Sequence, residues 1–191
     1  TFIWTGFDYR GEPTPYYDWP NISSHFGILD TCGFAKDCFY YYQAWWSDQE
    51  VLHLFPHWNW PGREGQPIEV WAYANGDEVE LFRNGQSQGR RTMEREGHAV
   101  WTVPYAPGEL MAVGYRQGRE YRRVRVATTG PAAGLRLTPD RSALRADGED
   151  VAVIQVEVVD AAGRCVPTAG DQIRFAVEGP GDLTVRIRRD R

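Results

Sequence analysis

Three carboxylates, Asp8, Glu12 and Asp18, fall in the stretch FIWTGFDYRGEPTPYYDWP (residues 2–20), where seven of 19 residues are aromatic. Carboxyl pairs hydrolyse glycosidic bonds at a separation of about 5 Å with retention, or about 6.5–9.5 Å with inversion. Asp8 and Glu12 share one loop, whereas reacting groups held to about 0.5 Å need rigid elements beneath them. Asp8 and Glu12 are therefore expected to contact a ligand or to fix the loop, and not to form the catalytic pair. Aromatic faces beside carboxylates suit a neutral polyhydroxylated ligand, because a flat apolar ring stacks on the C–H face of a pyranose.

Other spacings that could do chemistry are weaker. Residues 85–89 (GQSQG) match the G-x-S-x-G pattern of a hydrolase nucleophile. That geometry needs a strand before the serine, a helix after it, and then an acid and a histidine in chain order. Here Asn84-Gly85 is a hairpin signal, a further strand is expected by Ala99, and the only later histidine is His98, so Ser87 is assigned to a hairpin. His53 and His57 have metal-ligand spacing on a helix, but Pro56 lies between them in a strand-rich region, so they are assigned to packing at a domain junction. Cys32, Cys38 and Cys165 are too few and too scattered for a zinc site or a disulfide framework, and free thiols are expected. No metal or cofactor is expected. Asn21-Ile22-Ser23 is a glycosylation sequon by pattern only.

The elements that would position these residues divide the chain in three. Eighteen of the 26 aromatic residues lie in residues 1–60, and after residue 130 only Phe175 remains, so several folds are expected. In residues 1–50, positions 2–4 (FIW) read as a short buried strand, followed by a long Gly/Pro-punctuated loop and a helix over 35–46 (AKDCFYYYQAWW). Strand, loop and helix in that order form one β/α unit, too little to enclose a core. In a β/α barrel the residue ending a strand lines the active site, which directs Trp4 toward a sugar face. Residues 51–129 contain strand patterns at 68–73, 79–83, 99–103, 110–115 and 121–126, five of the six or seven short strands expected there as in an immunoglobulin-like β-sandwich. After a linker at 130–134 (GPAAG), residues 134–138, 151–159 and 173–177 alternate as strands of a second, incomplete sandwich. The fold class is thus mainly β: immunoglobulin-like sandwiches preceded by a partial (β/α)8 barrel unit.

Charge narrows the partners. The net charge is -5, and residues 1–60 hold seven acids against Arg10 and Lys36. An acidic, aromatic-rich region repels phosphate, which argues against nucleic acid. No apolar run reaches the about 18 residues of a membrane span, so no membrane partner is expected.

Residues 2–46 resemble the last β/α unit of the catalytic barrel in glycoside hydrolase family 2, the β-galactosidase type. Residues 52–89 (LHLFPHWNWPGREGQPIEVWAYANGDEVELFRNGQSQG), with VPYAPGELMAVGY, are similar to the β-sandwich following that barrel, and the third segment to the Ig-like domain that often comes next. The resemblance implies a retaining hydrolase of β-galactosides whose two catalytic glutamates lie on earlier barrel strands. No catalytic residue is therefore assigned here, and the chain is expected to be an inactive C-terminal part of a longer polypeptide, its other partner being a carbohydrate substrate. What carries over is Trp4, as a wall of the subsite for the nonreducing sugar, with Asp8 and Glu12 as loop residues beside it. Residues 182–191 (DLTVRIRRDR) depart from the family pattern, as a chain cut short would. Polysaccharide degraders of this type are often exported, favouring a periplasmic or extracellular setting. The alternative is a stand-alone carbohydrate-binding or adhesion module using the aromatics of 57–60 (HWNW), although interdomain packing is the expected role of Trp58 and Trp60.

Overall fold

The computed structural model describes residues 2–12, 23–179 and 181. Asp18, residues 182–191 and two positions of the sequon lie outside them.

Seven strands build a sandwich of two antiparallel sheets: β1 Leu52–Phe55, β2 Pro67–Ala74 and β5 Ala99–Pro104 form one, in the order β1-β2-β5. The other has the order β4-β3-β6-β7, with β3 Glu78–Arg83, β4 Gln86–Thr92, β6 Glu109–Arg116 and β7 Arg119–Ala127. Alternation places Val70, Ala72 and Ala74 of β2 against Val79, Leu81, Leu110 and Ala112 of the facing sheet, with Trp58 and Trp101 filling the space between. Asn84 and Gly85 both have positive φ (49° and 81°), the conformation that a two-residue hairpin requires.

Two of these strands carry no clear sequence signal. β1 has only four residues, and β4 (QSQGRRT) has no apolar residue at all. β4 is an edge strand recruited by the Asn84-Gly85 turn and by charge: Arg90, opposite Glu80 in the register, reaches both Glu80 (3.1 Å) and Glu78 (3.3 Å). Ser87 lies on β4, not before a helix, and its hydroxyl donates to Glu80 (2.7 Å).

Helix α1, Asp37–Trp46, docks on the outer side of the β1-β2-β5 sheet. Period two decides this: Leu52 and Leu54 enter the core while His53 and Phe55 face outward. His53 stacks on Tyr40 with ring centroids 3.9 Å apart and pairs with Asp37 at 2.6 Å, so it packs at the junction between helix and sandwich. His57 belongs instead to the sandwich, stacked on Trp60 and accepting the Asn59 N–H (3.2 Å). The three cysteines are free thiols.

Three expectations are corrected. Residues 2–4 form no strand: Phe2 and Trp4 are 87% and 70% exposed, because no described strand lies alongside to accept their backbone bonds. Beyond the sandwich, β8 Gly134–Pro139 pairs antiparallel with β9 Ile154–Val159, but 151–153 and 173–177 are irregular although they alternate. A two-stranded sheet with both faces largely exposed gives such segments no surface to pack on. Trp58, expected in interdomain packing, lies instead wholly inside the sandwich core, its indole N–H donating to the Ala106 carbonyl (2.9 Å), and offers no ring to a ligand.

Candidate functional site

Residues 5–10 lie alongside 23–30 as a strap closed by backbone bonds: Asp8 N–H to the Leu29 carbonyl (2.9 Å), Leu29 N–H to Gly6 (2.9 Å) and Ser24 N–H to Tyr9 (2.8 Å). Gly27 permits the approach, since a Cβ there would overlap the backbone of Phe7 and Asp8.

Asp8 is the centre of this strap. It is 8% exposed, and its Oδ1 accepts from the Lys36 ammonium (2.7 Å) and the Gly27 N–H (2.8 Å), with the His25 ring 4.0 Å from Oδ2. Lys36 also donates to the His25 carbonyl (3.0 Å). A lysine at the N-cap of α1 meets the positive end of the helix dipole, an unfavourable place for a cation. Its ammonium turns away to Asp8 instead, which ties the helix start to the strap. Lys36 is the single lysine of the chain, the one sequence signal that could have pointed to it.

The three predicted site residues therefore have different surroundings. Trp4 stands exposed one residue before the strap, joined to Thr5 by a cis peptide. Glu12 is exposed and accepts from the Tyr9 hydroxyl, which holds it toward the strap. Asp8 is engaged within the protein. The strap brings Trp4 and Asp8 into one short segment with a buried anchor at one end and an open aromatic face at the other.

A second concave surface lies where α1 meets the sandwich: a cleft of about 370 Å³ lined by Cys38, Tyr41, Tyr42, Trp71, Tyr73, Glu96 and His98. Burial pushes the Cys38 thiol above its ordinary value, against a smaller opposing pull from Lys36, so it is neutral and poorly nucleophilic. Among the described residues no group of three or more His, Cys, Asp or Glu has a geometry that could hold a metal ion.

Residues 135–186 match the profile of the glycoside hydrolase family 2 C-terminal domain 5, and residues 65–122 match a domain of unknown function, DUF4982. The β-galactosidase BoGH2A of Bacteroides ovatus is 48% identical across 94% of this chain. The chain belongs to glycoside hydrolase family 2. A putative β-glucuronidase of Formosa agariphila is 37% identical across 93% of the chain. Among solved structures, a family 2 member from Bacteroides cellulosilyticus superposes with a TM-score of 0.79 at 33% identity, over 86% of this chain and 26% of its own. A β-glycosidase from Bacteroides vulgatus gives 0.78 at 33% identity, over 85% and 20%. This family 2 chain spans only about a fifth of the two curated relatives, 21% and 18% of their lengths.

Proposed function

We propose that residues 1–50 are the closing loop and helix of the catalytic barrel of a retaining family 2 glycosidase acting on β-galactosides, with residues 2–4 leading into that loop. Residues 51–129 are the β-sandwich that follows it, and residues 130–191 an incomplete Ig-like domain. The observation that carries the reading is the pairing of an exposed Trp4 with a strap anchored through Asp8 and Lys36. A ring that must meet a sugar has to remain open while its backbone is held.

Trp4 forms one wall of the sugar subsite, Asp8 fixes the loop behind it, and Glu12 borders the pocket. The seven acids against two bases in residues 1–60 favour a neutral galactoside over a glucuronide, whose carboxylate they would repel. The 48% identity to a β-galactosidase supports the same choice.

The 191-residue chain alone is expected to show no turnover of a chromogenic β-galactoside, since no carboxyl here is assigned to the reaction; measurable turnover would refute this. Sequencing the flanking DNA supplies the second arm: an upstream frame encoding further β/α units with glutamates at the ends of the fourth and seventh strands is expected. In the enzyme so completed, Trp4→Ala should lower kcat/KM by about 10- to 100-fold, as loss of a stacking wall implies.

A further inference from the structure

The cleft between α1 and the sandwich is used by nothing in the reading above. Its walls come from three elements: Tyr41 and Tyr42 on α1, Trp71 and Tyr73 on the outer side of β2, and Glu96 and His98 in the segment leading into β5. These are not loosely assembled. The Tyr41 hydroxyl donates to the Glu96 carbonyl (2.7 Å), fastening the loop to the helix, and Glu96 adopts a positive φ of 58° within a turn closed by the Gly97 N–H to Glu94 (3.0 Å). The His98 ring lies flat on Trp71, with centroids 4.2 Å apart and planes 5° from parallel.

What the cleft leaves open is its polar inventory. Among the described residues the hydroxyls of Tyr42 and Tyr73 have no hydrogen-bond partner, although burial, helped by nearby Asp37 and the Cys38 thiol, raises Tyr73 above the usual phenol value. A phenol kept neutral is both donor and acceptor, the match for a sugar hydroxyl. Stacked rings, two unengaged hydroxyls and one carboxylate form a surface that is apolar in its body and polar at its rim. Glu96 is the one carboxylate among the described residues lining the cleft, 3.7 Å from the exposed Arg95 guanidinium, and none of the lining residues is an arginine or lysine, which leaves an anionic ligand without a cationic partner inside it.

We propose that this cleft binds a neutral saccharide, with the ring faces of Tyr42 and Tyr73 against the pyranose and their hydroxyls, with Glu96, on its hydroxyl groups. The proposal does not rest on the role of Trp4, and the test separates the two.

The 191-residue chain would be titrated with lactose, with cellobiose and with glucuronic acid while the backbone amides of Glu96, Gly97 and His98 are followed by NMR. Saturable shifts with a dissociation constant of about 1 mM are expected for at least one neutral disaccharide, and weaker binding for glucuronic acid. Tyr42→Phe and Tyr73→Phe keep the rings and the packing, and each should weaken binding about 3- to 10-fold, the effect of one lost hydrogen bond. Trp4→Ala should leave the affinity unchanged. The proposal is overturned if neither disaccharide gives saturable shifts, if both phenylalanine variants bind as the parent does, or if glucuronic acid binds as tightly. Loss of binding in Trp4→Ala would also overturn it, and would transfer the saccharide to the strap.

Discussion

Asp8 shows how a carboxylate set among aromatic residues can hold a strap together from within. It is buried beside a lysine ammonium, and that pair joins two parts of the chain 28 residues apart. Removing one member of a buried pair leaves the other charge unmatched, at a cost of about 3–5 kcal/mol when both are fully buried. The Lys36 side chain is 25% exposed and can turn to water, so a smaller loss of about 2 kcal/mol is expected for Asp8→Ala. The sharper readout is local. Hydrogen exchange at the Gly27 and Asp8 amides should accelerate by about tenfold or more, while amides of the sandwich core keep their rates. Asp8→Asn retains an acceptor for the Gly27 N–H and should fall between; core amides accelerating equally would mean that the strap is not an independent unit. From sequence, Asp8 stood out as an acid among aromatics, and both a ligand contact and a loop-fixing role were open. Its partners could not be read because they come from residues 19 and 28 positions away, and neither a glycine nor a lone lysine declares what it approaches.

At the scale of elements, periodicity was a good guide wherever a facing layer existed. β2, β3, β5, β6 and β7 alternate in sequence and lie within a residue or two of where alternation puts them, and α1 starts two residues late. The pattern failed at 2–4 and 173–177, where residues fit for a strand lack a neighbour to pair with, and at β4, where a turn and two glutamates made a strand of polar residues. The linker at 130–134 was visible from composition, but not how it is held. Asp160, at the end of β9, is 4% exposed and accepts from the N–H groups of Gly130 (2.9 Å), Ala162 (2.9 Å) and Arg164 (2.9 Å) and from the Arg164 guanidinium (2.7 Å). The amides of Arg164 and Gly130, chiefly, hold its carboxyl far below the usual range, with burial working against them. A group whose value is depressed in the folded state adds stability that is complete above its unfolded value, about 3.9, and is lost as pH falls through the folded one. Protection of the Gly130 amide should therefore be constant from pH 7 to about 5 and decline below about pH 4. In Asp160→Asn it should be lower at neutral pH and flat across that range. A decline of equal size in the asparagine variant would assign the acid sensitivity to another group.

Over the whole molecule, apolar exposure is distributed unevenly. Every large hydrophobic residue that stands exposed lies outside 52–127: Phe2, Trp4, Phe7, Phe26 and Trp46 on one side, and Leu135, Leu137, Val151, Ile154 and Val177 among those on the other. The sandwich covers most of its own core, with Trp45 of α1 packed against it, whereas its flanks present apolar faces of the kind that marks an interface. Relatives about five times as long offer polypeptide to cover them. This asymmetry was partly legible, since neither the first 50 nor the last 60 residues hold enough elements for a closed core. What composition could not tell is that the middle segment is self-sufficient, because that depends on β4 and β1, the two strands without a signal. Residues 51–129 expressed alone should accordingly unfold in one cooperative urea transition and bind a hydrophobic dye such as ANS less, per molecule, than the 191-residue chain. Removing α1 uncovers Tyr73 and breaks the stack of Tyr40 on His53, so the midpoint should fall. Cooperativity should survive, because Leu52, Leu54 and Trp58 remain inside the excised piece. A broad, non-cooperative transition, or dye binding above that of the whole chain, would mean that the sandwich borrows its core from its flanks and does not fold without them.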